Sequence, residues 1–137
     1  MPDDNPSILS HVSLGTNDLD TASTFYDKAL AALGIKRVET IENFAVAYGK
    51  MYPEFWIAVP HNDEVATVGN GVHIGFIANS KAQVHAFHEA CIAAGGRDDG
   101  APGPRPIYGE PYYGCFIIDP DGHKIEASFW DVNLAGG

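Results

Sequence analysis

Apolar and polar residues along the chain follow one order that occurs twice. Residues 8–14 alternate between apolar and more polar positions, a period of two that is typical of a β-strand. Asp18 then has the chemistry of a helix N-cap, apolar residues recur at helical spacing over residues 19–33, and Gly34 supplies a left-handed stop. The pattern predicts a strand followed directly by an amphipathic helix.

A second copy of this pattern begins 62 residues later, where His73 takes the place of His11. Ser80 and Gln83 have the spacing of a capping box, and Gly96 ends the second helix. The apolar strand residues that we expect to face the two helices are Ile8, Val12, Leu14, Val72, Ile74 and Phe76. The sequence therefore indicates an internal duplication.

Further strands are predicted after each helix, which makes each copy a β-α-β-β-β module in an α+β architecture. Their predicted bounds are Lys36–Glu42, Phe44–Gly49, Glu54–Pro60, Arg97–Gly100, Gly114–Asp119 and His123–Trp130. Residues 119–122 have the Pro and Gly chemistry of a hairpin turn, and the segment Ala101–Tyr113 is predicted to be a shaped loop. The expected division is one domain over residues 1–137, with modules at 7–60 and 71–131 and a linker at 61–70.

The net charge of −10, from 8 Lys and Arg against 18 Asp and Glu, narrows the range of partners. An acidic chain is not expected to bind nucleic acid or an anionic membrane surface. The acidic, proline-rich start at residues 1–6 is unlike a signal peptide, and two cysteines cannot form a disulfide framework. We therefore expect a cytoplasmic protein with a small-molecule or protein partner, with Cys91 in the helix core and Cys115 as an inert strand residue.

The less apolar strand faces carry the candidate chemistry. His11 and His73 occupy equivalent positions of the repeated strands, and Glu126 lies on the polar face of the last strand. Two imidazoles and a carboxylate suit a divalent ion with open positions for substrate or water. The residues alone leave open the alternative that each is an ordinary polar strand residue. The remaining histidines, which are weaker candidates, are His61, His85, His88 and His123.

Three motifs, in this order, resemble the vicinal oxygen chelate superfamily, which includes glyoxalase I, fosfomycin-resistance thiol transferases, extradiol dioxygenases and bleomycin-binding proteins. The motifs are Ser10-His11-Val12 with Asn17-Asp18-Leu19, then Gly71-Val72-His73-Ile74-Gly75-Phe76, then Asp119-Pro120-Asp121-Gly122-His123-Lys124-Ile125-Glu126. The resemblance implies that the paired modules form a curled half-barrel sheet with the helices outside. It also implies that His11, His73 and Glu126 hold one divalent ion (Fe, Mn, Ni, Zn or Co) and that the protein is a homodimer.

One position departs from glyoxalase I, which carries a fourth ligand, a Glu, on the last strand of its first module. An offset of 70 residues from Glu126 leads to Trp56, and Glu54 would need a two-residue register shift to replace it. A Trp can neither ligate a metal nor abstract a proton, so the sequence does not favour true lactoylglutathione lyase activity. Glu126 remains the candidate catalytic carboxylate.

The rest of the pocket wall is expected to combine aromatic surface with hydrogen-bond donors and positive charge. Its predicted substrate-binding members are Tyr48, Trp56, Arg105, Tyr108, Tyr112, Tyr113 and Lys124. For Tyr48 and Trp56, the alternative is a place in the core.

Three functions are consistent with these residues. The first is a metal-dependent glyoxalase-like enzyme that chelates a small, oxygen-rich substrate and stabilises an oxyanion or enolate, as a lyase, isomerase or transferase. The second is an Fe(II)-dependent extradiol-type dioxygenase, because two His and one carboxylate suit such an iron site. The third is a non-enzymatic binding protein like those that sequester bleomycin, since the acidic charge would attract a cationic aromatic ligand.

Overall fold

The computed structural model describes residues 6–135, which form two βαβββ units and a short terminal helix. The first unit contains β1 (Val12–Gly15), α1 (Leu19–Ala31), β2 (Lys36–Ile41), β3 (Ala45–Gly49) and β4 (Phe55–Ala58). The second contains β5 (His73–Ile77), α2 (Lys81–Ala93), β6 (Arg97–Pro104), β7 (Tyr112–Ile118) and β8 (Lys124–Trp130). A 3-10 turn at Pro106–Tyr108 precedes β7, and α3 (Val132–Ala135) follows β8. Most of the acidic start, residues 1–5, lies outside the described residues.

The two four-stranded sheets have the same topology. Their strand orders are β1-β4-β3-β2 and β5-β8-β7-β6, with one parallel pair in each, β1 with β4 and β5 with β8. The other neighbours are antiparallel. The sheets are mixed and are not closed into a barrel, which confirms the α+β architecture of duplicated modules.

The helix ends follow the predicted chemistry. The Thr21 N–H donates to Asp18 Oδ1 at 3.0 Å, and the Gln83 N–H donates to Ser80 Oγ at 3.1 Å, so each helix begins with a side-chain cap. The backbone and side-chain hydrogen bonds from Thr21 lower the pKa of the Asp18 carboxyl. Gly34 has a φ of 75°, the left-handed conformation that glycine adopts readily. The predictions for the ends of α1 and for the start of α2 are confirmed.

Three strand expectations need correction. Ile8 is 96% exposed and lies before β1, and Val72 is 45% exposed and lies before β5, so neither faces a helix. The predicted loop over 101–113 begins too early, because β6 continues to Pro104. This strand lies at a sheet edge and its pairing with β7 is irregular near Gly100 and Gly103, which allows prolines where a regular inner strand would not.

The helix-facing sides of both sheets contribute to one hydrophobic core. The Phe55 and Phe76 rings, one from each unit, meet edge to face with centroids 4.9 Å apart, and α1 packs against α2. Three polar contacts also join the units: Tyr26 Oη donates to Asp119 Oδ2 at 2.5 Å, His123 Nε2 lies 2.7 Å from the Gly15 carbonyl oxygen, and the Asn17 N–H donates to Asp121 Oδ1 at 3.3 Å. The free faces of the sheets therefore point away from this shared core.

Replacing Tyr26 with Phe tests the polar contact between the units. The phenol is fully buried, and burial, followed by the charge of Asp119, raises its pKa well above the usual value. Loss of the Tyr26 hydroxyl leaves the buried Asp119 Oδ2 without this donor, so we expect the free energy of unfolding to fall by about 1–3 kcal/mol. Urea unfolding measures the change, with Tyr52→Phe as the control at a tyrosine that is 60% exposed. Equal stability of the two variants would contradict the prediction.

Both cysteines are fully buried and free. Cys91 faces the core from α2, and Cys115 Sγ lies 3.7 Å from the Val84 carbonyl oxygen. Burial raises the pKa of Cys115 to about 11, and it also raises the pKa of Cys91. Both thiols are therefore in the unreactive form at neutral pH. Among residues 6–135, no helix is long and apolar enough to cross a membrane.

Candidate functional site

The free face of the second sheet brings two candidate ligands together. Parallel pairing of β5 and β8 sets His73 beside Lys124 and Gly75 beside Glu126. His73 Nε2 lies 2.6 Å from Glu126 Oε1, with the imidazole side chain 38% exposed and the carboxylate 11% exposed. The Glu126 carboxylate lies beside Gly75, where a Cβ would be in ordinary van der Waals contact with Oε1 at 3.6 Å. The imidazole and the carboxylate therefore form a pair that solvent can reach.

Tyr112 closes the other side of the Glu126 carboxylate. Its phenol Oη donates a short hydrogen bond to Glu126 Oε2. The Tyr108 and Trp130 rings contact the Tyr112 ring edge to face, with centroids 5.0 and 5.1 Å away. Burial, and then the hydrogen bond to Glu126, raises the pKa of Tyr112. The phenol is thus protonated at neutral pH and acts as a donor to the carboxylate.

Two cations lie next to the pair, over the ring of Phe116. Lys124 Nζ is 4.9 Å and Arg105 Cζ is 5.6 Å from the ring centroid, and the His73 ring centroid lies 5.7 Å away. Lys124 also forms an ion pair with Asp99 at 3.1 Å. Two cations therefore lie on the face of the second sheet that carries Glu126, and one of them, Lys124, is paired with a carboxylate.

His11 lies on the free face of the first sheet. It is exposed, and its Nδ1 is 3.1 Å from Ser10 Oγ. An open groove of about 1030 Å³ runs beside it, mostly apolar and lined only by residues of the first unit and the segment before it. Its lining includes Ile8, Leu9, Ser13, Phe44, Glu54 and Trp56.

The sheet registers show which residues are equivalent in the two units. Ser13 pairs with Trp56 in the first sheet, as Gly75 pairs with Glu126 in the second. Trp56 therefore occupies the position of Glu126, as the offset of 70 residues predicts. Glu54 lies two residues before Trp56, just ahead of β4, and occupies the position equivalent to Lys124. Its carbonyl oxygen accepts a hydrogen bond from the N–H of Val12, the residue after His11.

The predicted ligands are not assembled within one chain. Among residues 6–135, no three His, Cys, Asp or Glu side chains lie close enough together to hold a metal ion. The His73–Glu126 pair nevertheless has the chemistry of a divalent site, because an imidazole nitrogen and a carboxylate oxygen meet at an exposed face. The pair fits such an ion as two of its ligands, and a third must come from outside the pair.

Two predicted pocket tyrosines lie on the helix side of their sheets. Tyr48 is 1% exposed, and its Oη lies 2.8 Å from Asp27 Oδ1 and 3.1 Å from the Ser23 carbonyl oxygen of α1. Tyr113 Oη lies 2.6 Å from His85 Nε2 on α2. Neither side chain reaches the face that carries Glu126, so neither is placed to contact a substrate bound there.

Phe116, whose ring lies under both cations, is absent from the predicted site. The signal was the period of two along β7: Tyr112, Gly114 and Phe116 share one face, and Tyr113, Cys115 and Ile117 share the other. Treating residues 101–113 as a loop hid the start of this alternation. Extending the strand back to Tyr112 would have separated the two adjacent tyrosines and added Phe116 to the site.

The fold and the paired side chains together define a protein built from duplicated βαβββ modules with a His–Glu pair on a free sheet face. Residues 8–127 match the Glyoxalase/Bleomycin resistance protein/Dioxygenase superfamily. The chain belongs to this superfamily, which confirms the resemblance found in its motifs.

Individual relatives agree with this assignment. The chain is 30% identical over 122 residues to the "Probable lactoylglutathione lyase" of Vibrio cholerae, covering 86% of this chain and 87% of that protein. It is 31% identical over 127 residues to the lactoylglutathione lyase of Haemophilus influenzae, covering 86% of this chain and 89% of that protein. A glyoxalase/bleomycin resistance protein from Albidiferax ferrireducens T118 has a solved structure similar to this one, with a TM-score of 0.79, 40% identity, and coverage of 89% of this chain and 98% of that chain.

Proposed function

We propose that the protein is a metal-dependent enzyme that binds a small, oxygen-rich substrate on one divalent ion held by His73, Glu126 and the His11 of a second copy. The observation that carries this proposal is the contact of 2.6 Å between His73 Nε2 and Glu126 Oε1 on an exposed face. An imidazole nitrogen and a carboxylate oxygen are ligand types that divalent ions such as zinc, iron and cobalt accept in proteins. When bound, a divalent ion supplies Lewis-acid stabilisation of negative charge on the substrate oxygens.

A second copy of the chain supplies the third ligand in this proposal. The helix-facing sides of both sheets are buried in the shared core, so only the opposite, free faces are available to another molecule. The groove beside His11 is bordered by exposed apolar side chains, with Ile8 96% and Leu9 72% exposed. Such a surface favours contact with a protein partner. A symmetric dimer that joins the first unit of one copy to the second unit of the other forms two identical sites.

The side chains around the ligands have separate tasks. Arg105 and Lys124 provide positive charge for an anionic part of the substrate, and the Phe116 ring holds both cations in place. Trp56 supplies an apolar wall from the other copy. Glu126 would contact the ion beside His73, and we assign to it the role of ligand and catalytic residue.

Metal titration of the purified protein tests the proposal. We expect one Co(II) ion per chain in the wild type. For Glu126→Gln we expect a loss of affinity of more than about a hundredfold, because ligand removal costs more than the roughly 10–100-fold typical for groups that only orient ligands. Glu89→Gln, at an exposed position of α2, is the matched control and should bind as the wild type does. A wild type without stoichiometric binding, or a Glu126→Gln variant that binds normally, would contradict the proposal.

The reaction class is the finer part of the proposal, and we favour a lyase, isomerase or transferase. The two lactoylglutathione lyases that align with the chain support a lyase. A dioxygenase is the second candidate, because Trp56 in the position equivalent to Glu126 leaves two His and one carboxylate, the set that suits Fe(II). Lactoylglutathione formation by the metal-loaded protein would support the first candidate, and oxygen uptake with Fe(II) and a catechol panel would support the second.

A further inference from the structure

The Glu126 carboxylate has a different partner on each oxygen. Oε1 contacts His73 Nε2, and Oε2 accepts the short hydrogen bond from Tyr112 Oη. Of these two partners, His73 belongs to the proposed ligand set. Tyr112 does not ligate a metal in that set, yet it is 2% exposed and directed at the carboxylate. The proposed function does not yet assign a role to the Tyr112 phenol.

The surroundings of Tyr112 fix its phenol in place. The Tyr108 and Trp130 rings both contact the Tyr112 ring edge to face. Gly114, the next residue on the same face of β7, leaves the space that the phenol fills, because a Cβ at Gly114 would collide with the phenol oxygen and would lie 2.8 Å from the Ala127 carbonyl oxygen. A hydroxyl confined in this way cannot swing away from Glu126 without moving several neighbours.

We infer that Tyr112 is a positioning residue that reserves Oε2 of Glu126, so that the carboxylate presents only Oε1 to a divalent ion shared with His73. The inference rests on the proposed function, because it requires Glu126 to be a ligand. A carboxylate whose second oxygen is held by a phenol binds an ion through one oxygen, whereas an unrestrained carboxylate can bind through both. Tyr112 therefore keeps one further coordination position open.

That open position is what a substrate with two adjacent oxygens needs. Two imidazoles and one oxygen of Glu126 occupy three positions, which leaves neighbouring positions for both substrate oxygens. Binding of Glu126 through both oxygens would fill one of them. The Tyr112–Glu126 contact thus keeps one position of the ion free for substrate or water.

The test compares Tyr112→Phe with Tyr113→Phe, a matched control. Tyr113 is the adjacent tyrosine, and its hydroxyl bonds to His85 on the opposite side of the sheet, so its removal costs one hydrogen bond without touching Glu126. Both variants are titrated with Co(II), and the visible absorption of bound Co(II) reports the number of ligands, since it weakens as coordination number rises. Thermal unfolding monitors general damage.

We expect Tyr112→Phe to bind Co(II) about 10–100-fold more weakly, the range typical for loss of a group that orients a ligand. We also expect its Co(II) absorption to weaken, as a second carboxylate oxygen joins the ion. Tyr113→Phe should match the wild type in both respects. An unchanged Co(II) spectrum in Tyr112→Phe, or the same change in Tyr113→Phe, overturns the inference while Co(II) binding by the wild type still supports the proposed function. A wild type that binds no Co(II) overturns both.

Discussion

Mixing two variants that cannot hold metal, His11→Ala and Glu126→Ala, is expected to restore about a quarter of the wild-type metal sites if each site joins two copies of the chain. In the proposed dimer, a site takes His11 from one copy and His73 with Glu126 from the other. A mixed dimer then contains one site with all ligands intact and one site that lacks two of them. Random pairing makes about half of the dimers mixed, so about a quarter of all sites recover.

Refolding the two variants together from urea provides the mixture, and Co(II) bound per chain is the measurement. The matched control is the pair His73→Ala and Glu126→Ala. Both residues lie on the second unit of the same chain, so every site in every dimer of that mixture lacks a ligand. Recovery in the first mixture but not in the control is the expected outcome. No recovery in the first mixture would mean that sites do not form between copies.

The order of strands and helices could be predicted from the sequence because it depends on short-range chemistry. The capping residue Asp18, the stop at Gly34 and the turn after Asp119 act within a few residues, and the structure has each of them where the pattern indicates. Alternation also predicts that His73 and Glu126 lie on the less apolar faces of their strands, but the parallel pairing that brings these strands together joins residues 53 positions apart and does not follow from alternation.

Which sheet face of each unit is covered by other elements could not be predicted in this way. Alternation tells which side chains share a face, but the packing of distant elements decides whether that face is covered. Tyr48 illustrates the difference: it lies under α1, where its hydroxyl is within hydrogen-bond distance of the Asp27 carboxylate and the Ser23 carbonyl oxygen. The separation of His11 from His73 has the same origin, because the contact between α1 and α2 that orients the two units depends on long-range packing.

Replacing Trp56 with Glu is expected to raise the affinity for Co(II) at least about tenfold, since it adds a carboxylate ligand and a negative charge to the site. The reason lies in the register: Trp56 is paired with Ser13 as Glu126 is paired with Gly75. On the free face of the first sheet, the new carboxylate has the same relation to His11 that Glu126 has to His73. The variant thereby tests whether the two halves of the duplication still have equivalent geometry.

Trp56→Gln is the control, because glutamine has the shape of glutamate without its charge and removes the same indole from the groove. Any effect of losing the indole appears in both variants, so only the difference between them reports the new carboxylate. If Trp56→Glu binds Co(II) no more tightly than Trp56→Gln, position 56 does not reach the ion, and the equivalence of the two registers does not extend to the site. If it does bind more tightly, the added ligand also takes one of the open positions, and bidentate substrates should bind more weakly to the metal-loaded variant than to the wild type.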